Sequence, residues 1–200
     1  MGKKESALPG GGKRIEFLES SGTQWIDTGI KLTPYMRIEI AFYIKDITMS
    51  QGIFGANYNN NEYSFSFLGY TGVYLSFNFR NRAYGAVKVV QAHVGDEVKI
   101  VVEGNSASLQ LRGTTYTPSV TATPEFSLGD KTCYVFAVNN PRGGNIDANP
   151  CSMKMTEFKI SDGDMLLAHY VPAEYKGHAC AYDWVTGNYI RSAGTDDFIL

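Results

Sequence analysis

The chain is 200 residues long, 44% hydrophobic and only 19% charged, so it can bury a sizeable core and lacks the composition of a disordered segment. Its formal net charge of -2, with Lys and Arg scattered rather than clustered, offers no general attraction to nucleic acid or to an anionic membrane. No apolar run approaches the roughly 20 residues of a membrane-spanning helix, so no insertion by that route is expected.

The opening MGKKESALPGGGKR has no apolar segment of the kind a signal peptide carries. Its Lys, Pro and Gly content predicts a flexible lead or expression remnant over residues 1–13, with one domain from Arg14 to Leu200. Ile15 and Phe17 alternate with Arg14 and Glu16, which predicts a half-buried strand over Arg14 to Glu19; Ser20-Ser21-Gly22-Thr23 turns the chain before Trp25 and Ile26 resume an extended run. From Tyr35 to Ile44 the apolar residues Ile38, Ile40, Phe42 and Ile44 share one face. Short strands follow at Gln51 to Ala56, Glu62 to Leu68, Val73 to Arg80 and Arg82 to Val90, punctuated by the Asn57 to Asn61 loop, Gly69 to Gly72 and Asn81. Val98, Ile100 and Val102, then Leu109 and Leu111 beyond Glu103-Gly104-Asn105, read as a hairpin. Pro118 makes Thr114 to Thr123 an edge strand or loop, whereas Cys133 to Val138 is apolar on both faces and belongs in the middle of a sheet. After the turn-rich Asn139 to Pro150, two long strands, Ser152 to Ile160 and Met165 to Val171, flank Asp162-Gly163.

About a dozen short strands without a helical pattern predict an all-β fold, a two-sheet antiparallel jelly-roll sandwich. Glycine supplies the turns, and 13 tyrosines with 11 phenylalanines suit pleated surfaces. Two stretches also resemble a known family. Glu19 to Gly29 reads E-S-S-G-T-Q-W-I-D-T-G, and Tyr182 to Thr195 reads Y-D-W-V-T-G-N-Y-I-R-S-A-G-T. Both are similar to the edges of laminin-G-like, concanavalin A-like jelly rolls in secreted and surface proteins of bacteria and their phages. The resemblance implies an extracellular or cell-surface location, and places the strand near Arg14 beside the C-terminal strands, with Trp25 and Trp184 substantially buried.

Catalytic patterns are weak. The E-x-D-x-x-E arrangement of related retaining glucanases is absent, and Glu97, Glu103, Glu157, Asp162 and Glu174 read as solvated strand faces and turns. Tyr175-Lys176-Gly177-His178 lacks the partners of a polysaccharide lyase, and His93 and His169 read as a loop and a packed residue. Calcium is the one ion the loops raise, through Asn145, Asp147 and Asn149 or Asp162 and Asp164, but neither set has the carboxylates of a dedicated site; Asx-type turns and no cofactor are the expectation. Cys133, Cys151 and Cys180 match no zinc spacing and allow at most one internal disulfide.

Ligand binding without chemistry remains, the expected partner being a glycan or a surface protein. Alternation sets Tyr74, Asn78 and Arg80 on one side of their strand, and the short Asn81 link brings Arg82 and Tyr84 alongside. A tyrosine ring stacks on a pyranose while Asn and Arg bond to its hydroxyls, so these five residues are the expected carbohydrate site. A glycoside hydrolase or lyase with an unfamiliar site, or a purely structural module, is the competing reading.

Overall fold

The computed structural model describes residues 7–33, 35–47, 51–58, 61–68, 74–81, 87–104, 106–119, 128–139 and 150–200. Alternating sequence becomes strand wherever one face finds a core. In chain order the strands are β1 (Ala7–Leu8), β2 (Gly12–Arg14), β3 (Leu18–Glu19), β4 (Ile26–Lys31), β5 (Arg37–Ile44), β6 (Gly52–Tyr58), β7 (Asn61–Leu68), β8 (Tyr74–Asn81), β9 (Val87–Gln91), β10 (Glu97–Glu103), β11 (Ser106–Leu111), β12 (Thr114–Tyr116), β13 (Thr132–Val135), β14 (Met153–Asp162), β15 (Met165–Tyr175), β16 (His178–Asp183) and β17 (Tyr189–Ile190). The only helical element among the described residues is a short 3-10 turn, Pro9–Gly11.

The strands form two antiparallel sheets packed as a sandwich. One has eleven strands, in the order β1-β2-β15-β14-β5-β10-β11-β12, with β16 and β17 continuing from β15 and β3 on β14; the other has six, in the order β4-β13-β6-β7-β8-β9. Ile38, Ile40, Phe42, Val98, Ile100 and Phe158 of the first sheet bury against Ile26, Phe54, Leu75, Phe77 and Val135 of the second. Phe54 and Phe158 meet across the sandwich with ring centroids 6.4 Å apart. As expected, β13 lies inside the six-stranded sheet and β12 forms an edge. The Asp-Gly signal holds too: Asp162 pairs with Met165 around Gly163, whose φ of 55° suits a tight hairpin.

The beginning of the chain differs from expectation. Residues 7–13, read from composition as part of a flexible lead, contribute β1 and β2, and β2 pairs with β15. Leu8 joins Val171, Ala173, Cys180 and Tyr182 in a small second core on the outer side of the large sheet. The single strand expected over Arg14 to Glu19 is two pieces, because β2 follows β15 whereas β3 pairs with β14. Leu18 is the fully buried anchor there; Ile15 and Phe17 are half-buried, and Phe17 lies beneath the Lys154 ammonium.

The stretch from Glu19 to Gly29 meets the C-terminal residues. Ile199 N–H donates to Glu19 O, Gln24 Nε2 to Asp197 O, and Ala193 N–H to Trp25 O. Gly194 closes the contact, since a Cβ there would sit 2.1 Å from the Thr23 carbonyl oxygen. Buried Gln24 also accepts from Ser21 N–H through Oε1, so the Ser-Ser-Gly-Thr-Gln run is a self-bonded turn. At the other stretch, Asp183 Oδ1 accepts from His169 and Val185 N–H and Oδ2 from the Thr186 hydroxyl. Trp184, just beyond that buried carboxylate, is 47% exposed, contrary to the expected burial; Trp25 is half-buried. The turn after β16 lifts the indole out of the small core and leaves it edge-on against Tyr182 at 5.0 Å.

Candidate functional site: the outer face of the six-stranded sheet

Leu75 and Phe77 of β8 are in the core, and Tyr74 and Ser76 alternate with them; the side chains of Asn78 and Arg80 lie outside what the structure describes. Arg82 and Tyr84 lie outside the described residues, as does most of the Asn139 to Asn149 loop. The face is not the flat polar platform that alternation alone implies. Ser76 and Ser64 are fully buried, Asn57 is 1% exposed and Tyr74 is half-buried. Among the described residues, Ser76 Oγ has no hydrogen-bond partner.

Strand register extends the row well past β8. Asn78 pairs with Ser64, Ser64 with Gly55, Gly55 with Tyr134, and Tyr134 with Asp27. Directly opposed residues share a face, so β7, β6, β13 and β4 align a hydroxyl, a glycine, a phenol and a carboxylate. Trp25 stands beside Tyr134, their rings stacked with centroids 6.3 Å apart. The Tyr134 phenol is pushed above its ordinary pKa by burial and by the negative charge of Asp27, so it keeps its proton and can donate.

A bulge sets the Asp27 end. Between Tyr134 and Thr132, β4 slips register, with Gly29 at φ 69°. Asp27 Oδ1 accepts from Gly29 N–H, and Thr28 Oγ1 accepts from Ile30 N–H while donating to Cys133 O. Such a bulge blunts an edge strand and re-aims its side chains. At the other flank of β13, Asn139 Nδ2 donates to Thr132 O and its backbone bonds to β6, which anchors the start of the Asn139 to Asn149 loop beside Asn57. Asp27, Trp25 and Tyr134 were missed from sequence because the β4–β13 pairing is long-range; the alternation around buried Cys133 and Val135 was the only local sign.

Glu157, raised by burial but more strongly lowered by Lys159 and His169, sits below the usual carboxylate range. No group of three or more His, Cys, Asp or Glu residues suited to a metal occurs among the described residues; Asn145, Asp147 and Asn149 lie outside them. All three cysteines are free and buried. No helix among the described residues is long and apolar enough to cross a membrane. No protein-family model matches the chain, and no curated protein matches it significantly in sequence.

Proposed function

We propose that the domain is a non-catalytic recognition module that binds extracellular carbohydrate on the outer face of its six-stranded sheet. The observation that carries this reading is the in-register row Asp27–Tyr134–Gly55–Ser64–Asn78. The stacked rings of Trp25 and Tyr134 would accept the flat face of a pyranose, and the exposed Asp27 carboxylate would bond to its hydroxyls. Tyr74, Arg80, Arg82 and Tyr84 remain part of the proposed site. The laminin-G-like resemblance of the terminal stretches supports a surface or secreted setting.

A glycan array on the wild type, followed by Tyr134→Ala, Asn78→Ala and Tyr74→Ala on any hit, tests the reading. Loss of one anchor should weaken binding by about 1–3 kcal/mol, roughly 5- to 150-fold. Folded variants that bind like the parent would place the site elsewhere. Sustained release of sugar fragments from the hit would replace recognition by hydrolysis or lysis.

A further inference from the structure

The outer face of the eleven-stranded sheet carries features that the first site does not use. The exposed Trp184 donates its backbone N–H to His169 O, which seats it next to His169 at the edge of β15. From there register runs across the sheet: His169 opposite Lys159, Lys159 opposite Glu39, Glu39 opposite Val101, and Val101 opposite Ser108. A parallel row links Glu157, Ala41, Lys99 and Gln110. The small side chains of Ala41 and Ser108 let the surface sink into a depression of about 390 Å³ walled by Glu39, Lys99, Gln110 and Glu157. Lys99 and Gln110 also line a second depression of about 370 Å³ that leads toward Asp96 and Arg112. Tyr43, 37% exposed and opposite Glu97, stands on the same face.

We infer that this face is a second carbohydrate site, which takes a neutral, extended oligosaccharide across the strands from Trp184 to Gln110. The inference rests on the recognition reading above, but not on the residues of the first site. Neutrality follows from the charges, because each lining ion already has a partner. Glu39 holds Arg37 at 2.9 Å, Glu157 holds Lys159 at 3.0 Å and His169 at 2.8 Å, Lys99 approaches Glu97 at 3.7 Å, and Arg112 pairs with Asp96. A charged ligand would find no unspent counter-charge, whereas sugar hydroxyls can share the remaining lone pairs and N–H groups. Length follows from the strands, since five inter-strand steps of about 4.8 Å give a track of roughly 24 Å, enough for several sugar units. Trp184, braced edge-on by Tyr182, supplies a stacking surface at one end and Gln110 a planar amide at the other.

The test is calorimetric titration with neutral hexaoses (cello-, xylo-, laminari- and maltohexaose), read together with acrylamide quenching of tryptophan emission. In the wild type, a binding hexaose should shield Trp184 from acrylamide. Trp184→Ala should weaken that binding roughly tenfold or more, and Lys99→Ala/Gln110→Ala, which alters only exposed side chains, should do the same in a protein whose Trp184 is intact. Tyr134→Ala should leave this event in place. If hexaoses bind but both variants match the wild type, or if Tyr134→Ala abolishes all binding, the second site is refuted while the recognition reading stands. Absence of any hexaose binding refutes it as well, and a blank glycan array in addition would remove the recognition reading itself.

Discussion

Asp183 illustrates what a single side chain does in this fold. Its carboxylate is 2% exposed and accepts three hydrogen bonds, two from backbone N–H groups that have turned away from regular pairing at the end of β16. Asp183→Ala would leave those donors unsatisfied in a closed site, so it should lower the unfolding free energy by about 2–3 kcal/mol, whereas Asp183→Asn should recover part of the loss; urea denaturation measures both. Glu19 is the corresponding case for charge. Burial pushes its carboxyl up, but the ammonium groups of Lys45 and Lys154 outweigh that and hold it below the usual carboxylate range. A depressed folded pKa stabilises the protein above the unfolded value of about 4.3 and loses that contribution as pH falls through the folded pKa. Glu19→Gln should therefore be less stable than the wild type at neutral pH, with the gap closing below about pH 4. Equal gaps at pH 7 and pH 3 would show that the ion pairs contribute nothing.

At the scale of elements, the N-terminal strands are the informative case. β1 and β2 are short and would not persist alone, yet they add to β15 and cover the outer side of the large sheet with Leu8. Beneath them Tyr175 and Tyr189 stack with ring centroids 4.0 Å apart, Tyr182 leans on Tyr189 at 4.9 Å, and the Tyr189 hydroxyl donates to Pro9 O. Gly12 permits that fit, since a Cβ there would fall 2.0 Å from the Tyr189 oxygen. Deleting residues 1–13 should cost roughly 2–3 kcal/mol, the worth of burying one leucine and part of an aromatic cluster. It should also raise binding of a hydrophobic dye while keeping the β-type circular dichroism spectrum. A truncated protein as stable as the full chain would reduce these strands to decoration.

Across the whole molecule most of the described strand pairs join consecutive strands, while the C-terminal segment is closed against Glu19, Gln24 and Trp25 near the other end of the chain. The cysteines report on that closure. Burial pushes the Cys133 and Cys151 thiols well above their ordinary range and Cys180 to about 11, where the Arg191 charge opposes part of the rise. Thiolates are the reactive form, so an aromatic disulfide reagent should label the native protein slowly and release all three thiols only on unfolding. Rapid labelling of even one under native conditions would mean that the sandwich opens locally. Because each thiol lies under different strands, the three labelling rates should converge if the sandwich unfolds as one unit.

The all-β class, the burial of Ile38, Ile40, Phe42 and Ile44, the hairpin at Gly163 and the edge position of β12 were legible in sequence, because each depends on alternation or on turn chemistry within a few residues. Tyr74 could be set in alternation with the core residues Leu75 and Phe77 for the same reason. What alternation could not show is what lies opposite. The pairing of β13 with β4 and β6, which sets Tyr134 and Asp27 in line with Asn78, joins residues about a hundred positions apart. The burial of Ser64 and Ser76 and the exposure of Trp184 were likewise beyond a local pattern, since it assigns a side chain to a face without saying how that face is covered. Residue period is a local property of the backbone, whereas register between distant strands and the covering of a face are set by packing of the whole sandwich, and that was decided only in the tertiary structure.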